Sequence, residues 1–257
     1  MTSKVISTLY LLVCFVTLCG CGDTNSDYHS QSAVPSPPVR APLDGLWSGE
    51  FDIGGRGPYD FTVLHLNGKA YAYSQHAKSM FVGTVNLEAE NFSSKYLLFE
   101  LDGGPFDSAT IIGELTKENE IAAQFVTSKG GDTGAINLVY NETYDLPSSL
   151  IKTKGNWSYT DKEGLTTELI VQAQGTISGH DTDGCEYLGY LDLINPAYNA
   201  YQVKLEITAC SSVSGEYDGV SFLMDGRLNL HIANEAYALY FSFDRQVESE
   251  SAAVKTQ

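Results

Sequence analysis

The side chains that most often carry catalytic chemistry are scattered along this chain. Its histidines fall in different predicted strands, turns or spacer: His29, His65, His76, His180 and His231. The sequence contains no G-x-S-x-G nucleophile turn, no H-E-x-x-H helix and no phosphate-binding P-loop. We therefore expect no enzymatic activity and no cofactor. The alternative is an enzyme that uses two close, buried carboxylates, which a strongly acidic sequence always offers as candidates.

Two histidine-containing segments raise the question of a binding role. His65 shares its strand face with Phe61 and Val63, which favours a hydrogen-bonded barrel-lining or surface histidine over a catalytic one. Residues 180–186 cluster oxygen ligands and are similar to the start of a calcium loop. That segment lacks the third acidic position and the distal glutamate of such loops. A solvated turn is the favoured interpretation, and no metal site is predicted.

The first 20 residues have the organisation of a signal peptide. Lys4 supplies a positive start, and residues 5–18 form an apolar run. The segment Leu18-Cys19-Gly20-Cys21 resembles the lipobox of bacterial lipoproteins, which implies cleavage of residues 1–20 and lipidation of Cys21. A transmembrane helix is the alternative, but a span needs about 20 apolar residues and this run is shorter.

The lipobox resemblance implies attachment to the bacterial cell envelope through the lipid on Cys21. Gly22 follows this cysteine at the position where, in enterobacteria, an aspartate marks retention in the inner membrane, so the outer membrane is favoured. Whether the protein faces the periplasm or the surface stays open. Residues 21–43 hold four of the eight prolines and are predicted to form a disordered spacer. Residues 246–257 are predicted to form a disordered tail.

The same resemblance simplifies the five cysteines of the sequence. Cys14 and Cys19 leave with the signal peptide, and Cys21 carries lipid. Cys185 and Cys210 remain, and an exported protein with two remaining cysteines is a candidate for one disulfide. A redox or metal-binding pair is the alternative, which the lack of a C-x-x-C spacing disfavours.

The segments around the two remaining cysteines support their pairing. Residues 187–193 and 201–207 both alternate, and residues 195–199 between them are rich in turn formers. A hairpin centred between Ala197 and Tyr198 places Cys185 directly opposite Cys210. Facing side chains on antiparallel strands have Cβ atoms close enough for a disulfide.

The charge balance excludes some partners. The formal net charge is −17, and removal of residues 1–20, whose only charged residue is Lys4, makes it −18. A protein that binds nucleic acid or anionic lipid surfaces needs many Lys and Arg side chains, so binding to either is not expected. A basic protein partner or divalent cations remain compatible with this charge, although solubility alone explains it.

The rest of the sequence predicts an all-β protein. Short alternating runs rich in aromatic and β-branched residues are separated by Gly, Asn and Asp. We count eight strands in residues 44–146 and eight in residues 147–245. Eight antiparallel strands can close into a small up-and-down barrel, as in lipocalins and avidins. The prediction is two tandem β-barrel domains with these boundaries.

The two halves read as a diverged internal repeat. Trp47 aligns with Trp157, and the segment around Gly68 aligns with that around Gly175. Residues 81–85 align with residues 187–191. The near-constant spacing between the matched segments favours two copies of one fold over a single large sheet.

Several segments carry a resemblance to a known family, which covers most of residues 44–244 and is densest around the two cysteines. They are Tyr144-Asp145, Gly155-Asn156-Trp157, Gly175-Thr176-Ile177-Ser178-Gly179, Gly184-Cys185-Glu186-Tyr187-Leu188-Gly189, Asn199-Ala200-Tyr201 and Ala209-Cys210. Together they resemble a family of largely uncharacterised proteobacterial lipoproteins. The resemblance implies tandem β-domains and brings neither an activity nor binding residues.

Aromatic stripes on the predicted strands are candidate ligand-binding or barrel-lining positions. Tyr71 and Tyr73 project to one side of their strand, and Tyr237 and Phe241 share a face of the last strand. Such rings can line a small-molecule cavity or fill a core; filled cores are the favoured interpretation.

The protein is thus expected to be a non-catalytic interaction module for a protein or envelope component, including an inhibitor or immunity-type protein. A carrier of a small apolar or aromatic ligand is the alternative.

Overall fold

The computed structural model describes residues 41–117 and 119–246 of the chain. The predicted signal peptide, the lipidated Cys21, most of the spacer 21–43 and residues 247–257 of the predicted tail lie outside the described residues. Predictions for those segments therefore stay predictions.

Residues 45–141 form a closed antiparallel barrel in which each strand pairs with the next and β1 pairs with β8. Its strands are β1 (Gly45–Ile53), β2 (Arg56–Leu66), β3 (Lys69–Ser74), β4 (Ser79–Glu88), β5 (Asn91–Glu100), β6 (Pro105–Lys117), β7 (Glu120–Thr127) and β8 (Thr133–Asn141). A 3-10 turn, Glu142–Asp145, and a short helix α1, Leu150–Thr153, lead out of it.

Residues 155–246 form a second closed barrel of the same topology, with β9 pairing with β16. Its strands are β9 (Gly155–Thr160), β10 (Thr166–Val171), β11 (Thr176–Asp181), β12 (Glu186–Leu193), β13 (Tyr201–Thr208), β14 (Gly215–Met224), β15 (Arg227–Ala233) and β16 (Ala238–Gln246). The predicted fold class, two tandem eight-stranded antiparallel barrels, is confirmed.

The period-2 pattern of the sequence supplies the inward-facing side chains of both barrels. In β13 the buried residues Tyr201, Val203, Leu205 and Ile207 alternate with exposed ones. Successive strand residues point to opposite faces, so one set fills the barrel and the other faces outward.

Equivalent tryptophans make the same hydrogen bond in the two repeats. The indole N–H of Trp47 donates to the Leu43 carbonyl at 3.0 Å, and that of Trp157 donates to the Thr153 carbonyl at 2.8 Å. Each indole thus bonds the carbonyl four residues earlier in the chain and fixes the segment that leads into its barrel. The internal repeat predicted from the sequence is confirmed.

One glycine in each repeat, at equivalent positions, allows a close approach between neighbouring strands. A Cβ on Gly83 would lie 2.2 Å from the Lys95 carbonyl oxygen, and one on Gly189 would lie 2.1 Å from the Lys204 carbonyl oxygen. These are backbone atoms that cannot move aside, so only glycine fits at either position.

The barrels pack against each other through the outer faces of β2–β4 and β14–β16. Leu64 and Tyr71 of the first barrel share one buried cluster with Phe222 of the second. In a second cluster, Tyr73 stacks on Tyr240 with ring centroids 4.1 Å apart and an interplanar angle of 17°. Buried apolar area contributes about 25 cal/mol per Å². The two barrels consequently belong to one compact unit.

A turn of the first barrel also accepts hydrogen bonds from β16, where the second barrel closes. Strand β16 pairs with β9 only over its last residues, Asp244–Gln246. Beside the remaining part of β16, the Ala238 N–H donates to the Gly103 carbonyl and the Tyr240 N–H donates to the Asp102 carboxylate, both at 3.1 Å. The β5–β6 turn therefore supplies acceptors that β9 does not.

Two histidines are fully enclosed and held neutral. His231 lies in the interface between the barrels, with the rings of Tyr73 and Tyr240 each 5.0 Å away, centroid to centroid. Burial lowers the pKa of His231 to about 3, which the nearby Tyr71 backbone partly opposes. His65 lies inside the first barrel, where burial lowers its pKa to about 4. Protonation of either ring requires a charge in an apolar site.

We expect acid to weaken the fold through these two histidines. The unfolded state binds a proton near pH 6.5 but the folded state does not until pH 3 to 4, so stability falls as pH falls through that window. Between pH 7 and pH 5 each histidine should cost about 2 kcal/mol. His231→Phe keeps a planar ring and should lose about 2 kcal/mol less than the natural chain over this interval, as measured by urea unfolding at both pH values.

The matched control for this measurement is His180→Gln. His180 is exposed, so this variant removes one histidine without altering either enclosed site. Desolvation raises the pKa of Asp102 to about 6, so its protonation stabilises the folded state as pH falls, opposite to the effect of the histidines. Asp102 is present in every variant, and its contribution therefore cancels when the variants are compared. Equal acid losses in His231→Phe and the natural chain would contradict the assignment.

Candidate functional site

The two barrels differ at one end, which we call the mouth end. In the first barrel it carries the loops after β1, β3, β5 and β7, and in the second the loops after β9, β11, β13 and β15. At the mouth end of the second barrel, Cys185 and Cys210 form a disulfide with Cα atoms 4.8 Å apart. This bond joins the β11–β12 turn to the β13–β14 loop, and the disulfide predicted from the sequence is confirmed.

The predicted register of the hairpin that carries the disulfide is wrong by one residue. Tyr187 faces Ile207 across β12 and β13, whereas the predicted hairpin centre opposes it to Thr208. Ala209 then takes a left-handed conformation, with φ of 59°. This additional residue brings Cys210 back beside Cys185, as a bulge does in an antiparallel ladder.

Hydrogen bonds close the same end of the second barrel. The buried Asp181 carboxylate accepts from the Asp183 N–H at 3.0 Å, the Cys185 N–H at 2.9 Å and the Tyr187 hydroxyl at 2.9 Å. Residues 180–186 are thus a turn organised by its own aspartate. Among the described residues, the one grouping with metal-ligand spacing is Asp181 with Cys185 and Cys210, and both of its sulfurs are bonded to each other.

The mouth end of the first barrel has no such closure and contains a cavity of about 350 Å³. Aromatic side chains dominate its lining: Phe51, Tyr59, Phe61, Phe81, Phe106 and Phe125. Phe51 lies at the centre of this group, with its ring centroid 5.3 Å from those of Tyr59 and Phe61. We call this space the mouth cavity.

One position of the repeat shows why the two ends differ. Phe81 in the first barrel is equivalent to Tyr187 in the second, because each lies two residues before the matched glycine of its strand. Tyr187 reaches Asp181 through its hydroxyl and packs 6.3 Å from Phe241. Phe81 has no hydroxyl and borders the mouth cavity instead.

Glycine and strand alternation position the rings of the mouth cavity. Trp47 and Phe51 are four residues apart on β1 and therefore face the same barrel interior. A Cβ on Gly134 would lie 1.8 Å from the Asp52 carbonyl oxygen and 2.7 Å from the Phe125 ring. The bare glycine lets β8 approach β1 and leaves room for Phe125.

Two aspartates fix the loops that surround the mouth cavity. Asp60 accepts from the His76 N–H at 2.8 Å and the Gln75 N–H at 3.0 Å. Asp107 accepts from the Lys129 N–H at 2.9 Å. Desolvation alone would raise both pKa values, but the hydrogen bonds to these carboxylates lower them overall. Both aspartates are thereby held in the charged state that organises the loops.

An ion pair spans another part of the rim. The Arg56 guanidinium lies 3.5 Å from the Asp132 carboxylate and links the start of β2 to the β7–β8 loop. Both side chains are largely exposed, so the pair contributes little stability. Its chemical effect is to place polar groups of both signs around an apolar interior.

The four aromatic residues selected from the sequence separate into two pairs. Phe241 lies in the core of the second barrel, and Tyr237 packs against that core. Tyr71 and Tyr73 do not line the first barrel, because they project outward into the interface between the barrels. Their strand buries both of its faces, so the alternation could not distinguish inside from outside.

The rings that do line the mouth cavity were not predicted from the sequence. Phe51, Phe81 and Phe125 come from three different strands, and only closure of the barrel brings them together. Part of the signal was present in β1, where alternation from Trp47 places Phe51 inside. His65 lies deeper in the same barrel, with its Nε2 3.3 Å from the Tyr96 hydroxyl.

Comparisons with known proteins do not assign a family to this chain. No family model matches the chain, and a search of curated proteins returns no match. Within residues 41–117 and 119–246, no helix combines the length and apolar character needed to cross a membrane.

Removal of the disulfide should destabilise the protein measurably. Cys185 and Cys210 are separated by 25 positions, and closing a loop of this size is worth about 3 kcal/mol. We expect the Cys185→Ala, Cys210→Ala double variant to lose about this amount in urea unfolding. Dithiothreitol should lower the stability of the natural chain similarly and leave the double variant unchanged. An unaltered natural chain under reducing conditions would contradict the expectation.

Proposed function

We propose that this protein is a lipid-anchored envelope lipoprotein that binds a small apolar or aromatic ligand in the mouth cavity of its first barrel. The observation that carries the proposal is the cavity of about 350 Å³ lined by aromatic rings. Ligand sites are typically concave, mostly apolar and about 300–1,000 Å³ in volume. The second barrel serves as a structural partner, since its equivalent end is closed by the disulfide and by Tyr187.

The lining indicates the chemical class of the ligand. Phe51, Phe61 and Phe125 offer ring faces and edges that suit an aromatic or flat apolar group. Polar and charged groups, among them Asp132, occur only toward the rim. A ligand would therefore insert its apolar part and keep any polar end at the surface.

The chemistry of the rim favours binding over catalysis. The carboxylates of Asp60 and Asp107 are occupied by backbone N–H donors. Neither is a free proton acceptor that could serve as a general base. The proposal therefore treats the protein as a carrier or sensor of its ligand.

The anchor is the sequence-based part of the proposal. The resemblance of residues 18–21 to a lipobox supports cleavage before Cys21 and its lipidation. The spacer 21–43 would then hold the barrels away from the outer membrane. On this view the chain is a member of the proteobacterial lipoprotein family that residues 44–244 resemble.

A second candidate function is binding of a protein partner through the outer barrel faces. It is supported by apolar side chains that remain exposed there, including Ile112 at 65% and Leu188 at 52%. The net charge of −17 would steer a basic partner, as expected for an inhibitor or immunity-type protein.

A plug at the mouth cavity tests the ligand proposal. Ala77 lines the cavity in the β3–β4 turn, and Ala77→Trp should fill the entrance. We expect the natural chain to bind the neutral fluorophore N-phenyl-1-naphthylamine, and Ala77→Trp to weaken this binding at least about tenfold. Fluorescence titration measures both affinities.

The control places the same side chain on the second barrel. Ser212 is exposed in the β13–β14 loop, and Ser212→Trp should leave fluorophore binding unchanged. Native mass spectrometry of the chain purified from its own host should then show a bound small molecule that Ala77→Trp lacks. Absence of fluorophore binding by the natural chain, or equal binding by Ala77→Trp, would refute the proposal.

A further inference from the structure

The end of each barrel opposite to its mouth end receives the incoming chain, and we call it the entry end. Leu43 packs on the core of the first barrel there, and Leu150 packs on the core of the second. The two entry ends lie side by side, because the Asn199 N–H in the β12–β13 loop donates to the Tyr144 carbonyl at 2.8 Å. The β5–β6 turn bonds the start of β16 at the other side, so both mouths point away from the entry ends.

Three apolar side chains are exposed at the entry end of the second barrel. Ile151 of α1 is 65% exposed, Leu146 is 54% exposed and Ile194 is 37% exposed. The Ser148 hydroxyl donates to the Asn195 carbonyl at 3.2 Å. This bond holds the segment that carries the first two residues against the loop that begins with the third. We call the three side chains the entry patch.

Positive charge lies beside the entry patch. Lys152 and Lys154 are both exposed, and the Lys152 ammonium donates to the Pro147 carbonyl, next to the patch in the chain. The guanidinium of Arg245, another exposed side chain, donates to the Lys152 carbonyl at 2.6 Å. Residues 146–160 include no acidic residue. The segment that carries α1 is therefore basic in a strongly acidic chain.

The negative net charge of the whole chain acts only weakly at the entry patch. Charges more than about 8 Å away are largely screened at physiological ionic strength. Among the carboxylates of this end, Asp145 accepts from the Tyr140 hydroxyl at 2.7 Å and Asp244 pairs with Arg227 at 2.8 Å. Asp192, on the outer face of β12, stays exposed. The basic side chains next to the patch thus dominate its local potential.

The chain leaves toward the predicted lipid anchor from the same side of the molecule. Ala41 is exposed and lies two residues before Leu43, which packs at the entry end of the first barrel. Residues 22–40 separate Ala41 from Cys21. A spacer of this length, flexible as the sequence predicts, spans about 25 Å on average. It lets the barrels stand clear of the membrane and also lets the entry ends reach the lipid.

We propose that the entry patch docks on the anionic phospholipid surface of the membrane that carries the anchor, with the mouth cavity turned away from that membrane. The inference rests on the lipid anchor of the proposed function. The three apolar side chains insert among the headgroups, and the neighbouring lysines and Arg245 meet the lipid phosphates. Three side chains bind lipid weakly by themselves, but an anchor at Cys21 holds them at a high effective concentration near the surface.

A spin label on α1 tests the docked orientation. In the mature chain Cys185 and Cys210 are bonded to each other and Cys21 would carry lipid, so Ile151→Cys supplies a free thiol for a nitroxide. The lipidated chain, purified from its producing cells, is reconstituted on vesicles of phosphatidylethanolamine and phosphatidylglycerol. Oxygen, which concentrates in lipid, should then relax the label severalfold more effectively relative to a water-soluble nickel complex than it does for the chain in detergent-free buffer.

The controls separate docking from insertion by the label itself. Glu235→Cys carries the same label in the exposed β15–β16 loop at the mouth end, and this label should stay in water. Lys152→Glu with Lys154→Glu should return the α1 label to water, as should vesicles of phosphatidylcholine alone. Lys95→Glu with Lys162→Glu changes the net charge equally at exposed residues away from the patch and should leave the α1 label in lipid. Thermal unfolding confirms that each variant folds.

Flotation of the vesicles distinguishes failure of the docking from failure of the anchor. A chain that floats with the vesicles while its α1 label stays in water would overturn the docking and leave the anchor standing. A chain that does not float would overturn the anchor, and the docking with it. An α1 label that oxygen and the nickel complex both reach poorly would indicate a protein contact and would also overturn the docking. Fluorophore binding measures the mouth cavity separately.

Discussion

Closure of each sheet on itself is the constraint on which the rest of this structure depends. The two edge strands of an open sheet each leave a row of N–H and C=O groups unpaired, and closure removes both edges. The second barrel closes narrowly, since β16 meets β9 only at Asp244–Gln246. The β5–β6 turn of the first barrel provides acceptors for part of the remaining edge. The two barrels therefore complete one another through the backbone as well as through apolar packing.

The same repeat has been used for two purposes at the mouth end. In the second barrel, a disulfide and an aspartate-centred turn close the interior, and Tyr187 contributes a hydroxyl to that turn. In the first barrel, Phe81 occupies the equivalent position and the interior stays accessible as a cavity. A single hydroxyl does not by itself create the difference. It belongs to a set of changes that exchange hydrogen-bonded closure for an aromatic lining.

The interface between the barrels combines large stabilisation with a specific weakness. Stacked tyrosines and aliphatic residues exclude water from it. His231 is enclosed by the same rings and can remain there only while it is neutral. Apolar packing and acid sensitivity thus have one origin, because the low dielectric that rewards the rings also penalises an imidazolium.

The sequence by itself determined the all-β class, the number of strands, the repeat and the pairing of Cys185 with Cys210, because alternation and turn residues act locally. Only the tertiary structure decided which face of a strand is inside. Tyr71 and Tyr73 lie on a strand that is buried on both sides, so a period of two carries no information about direction. The bulge at Ala209 and the gathering of Phe51, Phe81 and Phe125 likewise depend on contacts between distant strands. Those contacts exist only after the barrel closes, and no local pattern in the chain encodes them.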